Sequence, residues 1–157
     1  MSETIDPKEI VYEQFKDESQ MDRIMEIFAG VLSEPYSIFT YRHFTIDCGH
    51  LCFNAMHKGK IIGSIICKAK QHKKHFRGYI GMLAVDDEYR RKGIATTLVL
   101  KSIDAMKKIK CKQVVLETEI KNKSAQALYF RLGFVKTKRL DNYYLSGEGA
   151  YRLKVWL

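Results

Sequence analysis

A mixed α/β sheet is the fold this sequence predicts: about seven strands in one central sheet, flanked by about four helices. Two patterns lead there. The first half carries short apolar runs divided by polar turns, which read as antiparallel hairpins. From residue 78 onward the chain alternates strand, helix, strand, helix and then two closing strands, an order that needs helices on both faces of the sheet. No linker divides the chain, and 157 residues suffice for one core. The expected organisation is a short N-terminal extension over 1–10 and a single domain over 11–157.

Each element has its own local signal. Residues 11–15 read as a short strand. Asp17 is a helix cap ahead of Met21, Ile24, Met25, Phe28 and Leu32, which recur near helical spacing. Glu34-Pro35-Tyr36 ends that helix, because proline restricts the residue before it. Residues 37–44 form a second short helix. Strands over 51–56 and 61–68 flank a turn at 57–60, and the basic segment 70–75 is read as the next turn. The strand over 78–85 is apolar on successive residues, so it is expected to be covered on both faces. A helix follows from Gly93, with Ile94, Leu98, Ser102, Met106 and Ile109 on one face. Residues 113–118 form a buried strand. Ala125, Leu128, Tyr129 and Leu132 make the inward stripe of a helix over 123–132, which Gly133 caps. Strands over 134–140 and 151–156 close the domain around the loop 141–149.

Composition narrows the function classes. Hydrophobic residues at 46% and charged residues at 29% describe an ordinary globular chain. Residues 1–6 lack the basic start and apolar run of a secretory signal, and no apolar stretch is long enough to span a bilayer. A soluble, cytoplasmic protein is expected. Of four cysteines, Cys48 and Cys52 are half of a metal-binding pattern, but no second close pair follows, so free thiols and no metal are expected. The formal net charge of +9 suits nucleic acid, an anionic surface or a phosphorylated ligand. Its denser runs lie at 68–77, 90–92, 107–112 and 136–139, and most are sufficiently explained as solvated faces or turns.

The run at 90–92 needs more explanation. Here Leu83-Ala84-Val85 ends a strand, the chain turns, and Arg90-Arg91-Lys92-Gly93-Ile94-Ala95 opens a helix. Free N–H groups at a helix start bind phosphate, and the helix dipole adds to this. Gly93 and the small Ala95 let an anion approach the backbone, and Arg90, Arg91 and Lys92 add positive charge. The loop lacks the Gly-Lys-Ser/Thr ending of a P-loop and the three glycines of a dinucleotide fingerprint. It resembles the R/Q-x-x-G-x-G/A pyrophosphate loop of the GNAT superfamily of N-acetyltransferases, as Arg90-x-x-Gly93-x-Ala95. Asn122 to Tyr129, then Gly133-Phe134, follow in that family's order, and the resemblance covers nearly the whole chain. Within the superfamily, residues 32–42, 116–119 and 139–145 together resemble the catalytic subunits of N-terminal acetyltransferase C (NatC) complexes. The short N-terminal extension departs from that pattern and puts docking of auxiliary subunits in doubt.

The resemblance implies an enzyme of the GNAT fold that moves acetyl from acetyl-CoA to the free N-terminus of nascent chains beginning Met-hydrophobic. It also implies NatC-type auxiliary subunits and ribosome association, with no nucleic-acid specificity and no membrane. By this resemblance the acetyl-CoA site comprises Leu83, Ala84, Val85, Arg90, Arg91, Lys92, Gly93, Ile94, Ala95, Asn122, Ser124 and Tyr129, with the Val85 N–H as oxyanion donor. Tyr129 is the general acid near the CoA sulfur; periodicity alone reads it as a structural aromatic. Asn122 and Ser124 also read as helix caps. Glu117 is the first candidate base, since burial at a strand end raises a carboxyl pKa. Glu119 points to the same side if the strand continues, and Glu34 is the third carboxylate. Leu32, Glu34, Pro35, Tyr36, Phe39, Met82, Glu119, Tyr143 and Tyr144 are the substrate-side residues. Two rivals remain: an acetyltransferase of the same fold for lysine or small-molecule amines, and a basic RNA-binding module without catalysis, which has no zinc-finger or RNA-binding motif behind it.

Overall fold

The structure, a computed structural model, describes residues 4–32 and 36–157, so the expected turn at Glu34 and Pro35 lies outside the described residues. One mixed sheet organises the chain, in the order β1-β2-β3-β4-β5-β7-β6. Its strands are β1 (Val11–Gln14), β2 (Phe53–His57), β3 (Lys60–His72), β4 (His75–Val85), β5 (Gln113–Glu119), β6 (Val135–Leu140) and β7 (Ala150–Trp156). Among the described residues only β4 and β5 run parallel, joined by the helix α3 (Ile94–Lys108). α1 (Met21–Ala29) and α2 (Ile38–Cys48) belong to one core, and α3 with α4 (Lys123–Arg131) to the other. This is the α/β architecture of about seven strands and four helices that the pattern predicts.

Local departures from the predicted elements have simple causes. Asp17 does cap, but it caps a 3-10 turn: its carboxylate accepts from Ser19 N–H at 2.9 Å, and α1 starts at Met21 behind that turn. α1 buries Met21, Ile24, Ile27 and Phe28 and ends before Leu32. α2 runs to Cys48, beyond the expected end at 44, and buries Tyr41, Phe44 and Thr45 while Phe39 and Ile46 stay exposed. Apolar residues on both sides of α2 blur its period. The turns are tighter than their polar composition suggests. Between β2 and β3 only Lys58 and Gly59 turn, both at positive φ (50° and 78°), the two-residue hairpin type. The basic segment 70–75 is strand except at Lys73 and Lys74, because Lys70 pairs with Arg77, Gln71 with Phe76 and His72 with His75. A hairpin end exposed on both faces has no apolar alternation to advertise it. Phe134 sits outside β6, buried against the Tyr129 ring.

β4 is covered on both faces, as its apolar run predicts. Gly78 makes room for Met106 of α3 on one side. Gly81 makes room for Phe44 of α2 on the other, where a Cβ would meet Phe44 Cε1 at 2.5 Å. Gly81 also has no partner on β3: Ile80 pairs with Cys67 and Met82 with Ile66, leaving Gly81 as a bulge. β4 and β5 then part. They pair only from Arg77–Tyr79 to Gln113–Val115, although both strands run on, to Val85 and Glu119. The sheet therefore opens into a wedge in its middle, between its two parallel strands.

Candidate active site

The wedge is the mouth of a cleft of about 750 Å³. Its walls are residues 80–85 of β4 and 116–119 of β5, and α3 and α4 both begin at it. Backbone phase decides what β4 offers. Asp86 N–H bonds the Ile62 carbonyl at 2.8 Å, so the neighbouring Val85–Gly63 pair is a non-bonded one. By the same alternation Ala84 and Met82 bond β3, whereas Leu83 and Val85 turn their N–H and C=O groups into the wedge. These polar groups find no strand on that side, because β5 has already left.

At one end of the cleft the chain makes the turn expected to bind an anion. A 3-10 turn, Asp87–Tyr89, leads to Arg90 and then to Arg91 and Gly93, both left-handed (φ 63° and 74°). Gly93 is the N-cap of α3 and supplies no side-chain bond, so the first N–H groups of the helix stay free. Arg90, Arg91, Gly93, Ile94, Ala95 and also Thr96 line the cleft; Lys92 does not. Arg90 is held on the surface by Asp87 at 3.1 Å. The residues that start α4 line the cleft too. Asn122 caps that helix, its Oδ1 accepting from Ala125 N–H at 3.1 Å and from Ser124 Oγ–H at 3.2 Å. Capping explains both side chains, and they remain beside the cleft.

Tyr129 stands in the cleft wall at 5% exposure, its ring edge-on to Phe134. Its hydroxyl makes no hydrogen bond to the described residues. Burial pushes its ionisation well above the ordinary phenol range, so it keeps its proton at any physiological pH.

The other face of the wedge carries a carboxylate cluster. β5 continues to Glu119, so Glu117 and Glu119 do share a face. The Glu117 side chain is 9% exposed, and its Oε1 accepts from Arg152 Nη2 at 3.3 Å and from Tyr143 Oη at 3.4 Å. Its Oε2 is buried with no hydrogen-bond partner among the described residues. Tyr79 lies against the same carboxylate; burial first, and then the Glu117 charge, push its ionisation up. Glu119 pairs loosely with Lys121, at 3.9 Å. Around this end stand Leu32, Tyr36, Met82 and Tyr144, all lining the cleft, with Tyr143 and Tyr144 edge-on to each other. Burial, then the Glu119 charge, raise the Tyr144 ionisation. Phe39 is 73% exposed and lies apart from the cleft. Glu34 and Pro35 fall outside the described residues.

Arg152 and Tyr79 were missed by sequence reasoning, though a signal exists for each. In Tyr151-Arg152-Leu153-Lys154 the buried Leu153 sets the alternation and puts Arg152 on the opposite face, in register with Glu117. Tyr79 is likewise out of phase with the buried Gly78 and Ile80. The Gly81 bulge has no comparable signal. The cysteines behave as small apolar residues: Cys52, Cys67 and Cys111 are buried and all four are free. Among the described residues no cluster of His, Cys, Asp or Glu is arranged to hold a metal, and no helix is long and apolar enough to cross a membrane.

Residues 18–134, which include the helix start and the parted pair of parallel strands, match the acetyltransferase (GNAT) family. The chain belongs to that family. Within it, the chain is 56% identical over 149 residues to N-alpha-acetyltransferase 30 of Xenopus laevis, covering 94% of this chain and 55% of that protein. It is 50% identical over 153 residues to N-alpha-acetyltransferase MAK3 of Arabidopsis thaliana, covering 98% and 80%. The chain thus spans about half the length of the frog relative and most of the plant one. Among solved structures, a chain of the NatC complex bound to Gag peptide and CoA superposes with a TM-score of 0.91 at 40% identity, over 95% of this chain and 99% of that one.

Proposed function

We propose that this chain transfers acetyl from acetyl-CoA to the free α-amine of proteins beginning with methionine and a hydrophobic residue. The observation that carries the reading is the buried Glu117 Oε2, with no hydrogen-bond partner among the described residues, at one end of a cleft whose other end is a helix start suited to an anion. A cleft with a proton acceptor at one end and a phosphate site at the other suits an amine and an acyl-CoA meeting in the middle. The relatives named above support the same chemistry.

In this reading the backbone of Leu83, Ala84 and Val85 holds the pantetheine arm. Arg90, Arg91, Gly93, Ile94 and Ala95 hold the pyrophosphate, and Lys92 adds charge from outside. The free N–H and C=O groups of Leu83 and Val85 fit such an amide-bearing arm. Asn122 and Ser124 flank it. A protein α-amine has a pKa of about 7.7 to 8, so part of it is neutral near pH 7. The amine nitrogen attacks the thioester carbonyl and the C–N bond forms as the C–S bond breaks. Glu117 takes the amine proton, directly or through one water, and Arg152 and Tyr143 fix its orientation. The Val85 N–H faces the developing oxyanion. Tyr129, which keeps its proton, offers it to the departing sulfur. Leu32, Tyr36, Met82 and Tyr144 surround the first substrate residues, with Glu119 and Tyr143 beside them. Auxiliary subunits of a NatC type, nascent chains at the ribosome and a cytoplasmic location belong to the same proposal.

The test is transfer from acetyl-CoA to a peptide panel, read by mass spectrometry. The panel contains Met-Leu, Met-Ile, Met-Phe, Met-Glu and Ser-Glu N-termini and one N-terminally blocked peptide with an internal lysine. Preferential acetylation of the Met-hydrophobic peptides is expected. Preference for the blocked lysine peptide would move the substrate class, and failure to bind CoA would remove the enzymatic reading.

A further inference from the structure

We infer that Tyr89, His57 and Glu9 form a side-chain relay that holds the anion-binding turn in shape, so that two residues outside the cleft set the affinity for the phosphate end of CoA. The inference rests on the CoA reading above and adds positioning residues to it.

The relay joins three separated elements. His57 is the last residue of β2 and is 8% exposed. Its Nδ1 lies 2.7 Å from Tyr89 Oη and its Nε2 lies 3.1 Å from Glu9 Oε2. A carboxylate only accepts, so Nε2 carries a hydrogen; in the neutral ring Nδ1 then accepts from the Tyr89 hydroxyl. The two aromatic rings also meet edge-on at 5.3 Å. Glu9 is itself fixed, in the 3-10 turn Pro7–Glu9 that Asp6 caps through Lys8 N–H at 2.9 Å. The flanking Ile5 and Ile10 pack into the core.

The turn needs such an anchor. Arg91 is left-handed, a conformation that is strained for a residue with a Cβ and persists only where the surroundings fix it. Among the described residues the side chains around it supply no anchor: Arg90 pairs with the exposed Asp87, Lys92 makes no hydrogen bond or ion pair, and Gly93 has no side chain. On the strand side the turn is held at Asp86, by its N–H bond to Ile62 and by the Arg23 guanidinium on its carboxylate. Beyond that point, Tyr89 is the side chain that reaches into the fold, and it is also in the cleft wall. His57 and Glu9 do not line the cleft. They act on the ligand through Tyr89 and the backbone that follows it.

The experiment is calorimetric titration of CoA into the wild type, Tyr89→Phe, His57→Gln, His57→Asn and Glu9→Gln, with steady-state kinetics alongside. Tyr89→Phe keeps the ring and removes the hydroxyl. A lost internal hydrogen bond predicts a rise in Kd for CoA of roughly three- to tenfold, matched in KM for acetyl-CoA but not in KM for peptide. His57→Gln, whose longer amide reaches towards Glu9 rather than Tyr89, behaves like Tyr89→Phe. His57→Asn puts an amide near the Nδ1 position and recovers part of the affinity. Glu9→Gln, on an exposed side chain, tests the relay without threatening the fold and raises Kd about twofold. The inference is overturned if Tyr89→Phe and Glu9→Gln bind CoA as the wild type does. It is also overturned if the variants lose kcat with KM for acetyl-CoA unchanged, the pattern of a purely structural role. A wild type that binds no CoA overturns the functional reading beneath it; a wild type that binds while the variants are silent overturns this inference alone.

Discussion

In the proposed mechanism Glu117 and Tyr129 divide the proton work, and their environments differ as that division requires. The Glu117 carboxylate has Arg152 and Tyr143 on one oxygen and no hydrogen-bond partner among the described residues on the other. Glu117→Gln keeps the shape and removes the acceptor, so kcat should fall on the order of 10²- to 10⁴-fold with CoA affinity intact. Glu119→Gln, whose partner is a loose and exposed Lys121, should cost far less; an equal loss in both would shift the base away from Glu117. Tyr129→Phe should lower turnover at least about tenfold while the calorimetric Kd for CoA stays within about twofold. Burial raises the Tyr129 ionisation, so the neutral phenol persists as pH climbs, and the pH–rate profile should show no descending limb from Tyr129 up to about pH 10. Both residues are legible in the sequence, Glu117 as the polar end of an apolar strand and Tyr129 on a helix stripe. Their pairing across a cleft is not, since it depends on two strands that pair for three residues and then separate.

The bulge at Gly81 lies where that separation begins. A methyl group there would meet the Phe44 ring, which is packed and cannot step aside as a flexible chain would. Gly81→Ala should therefore destabilise by about 1–3 kcal/mol and weaken CoA binding together. Gly78→Ala meets the end of Met106, a pliable side chain on the opposite face, and should cost less stability with CoA affinity retained. Melting temperature and CoA titration on the two variants separate the effects. At this scale the sequence is read well where one face is buried and one is not. α3 and α4 come out near their observed bounds because their apolar stripes are clean, and β5 does because its short continuous apolar run reads as a strand buried on both faces. α2 and the β3–β4 hairpin come out short for opposite reasons. α2 is apolar on both sides, and the hairpin end is polar on both, so neither carries the contrast on which periodicity depends.

The molecule as a whole buries thiols and phenols that must stay neutral. Burial pushes Cys52 up to about 12 from an ordinary thiol near 9.0, and Tyr41 up to about 12 from 10.0. Cys67, Tyr79 and Tyr129 move the same way. Each group binds its proton more tightly folded than unfolded. Stability is therefore fully present below about pH 9, where both states are protonated, and falls as pH rises towards 12 and the unfolded chain ionises first. Denaturant midpoints measured from pH 7 to 11 should be flat and then decline above pH 9; a rise there would contradict the burial of these groups. The fold class and its single sheet were legible at this scale because strand and helix order constrain topology strongly. The internal wedge was not, because pairing between β4 and β5 is a long-range property that no local pattern encodes.

The wedge also makes the empty protein its own reporter. Leu83 and Val85 direct their amide hydrogens into the gap, where no strand receives them, whereas those of Met82 and Ala84 are locked onto β3. In deuterated solvent the two pairs should exchange at different rates, the odd-numbered amides fast and the even-numbered ones slow. A molecule lying along the strand would supply the missing acceptors and bring all four to a similar, slow rate. Occupancy of the cleft is thereby written in the alternation of exchange along four consecutive residues, readable before any product is formed.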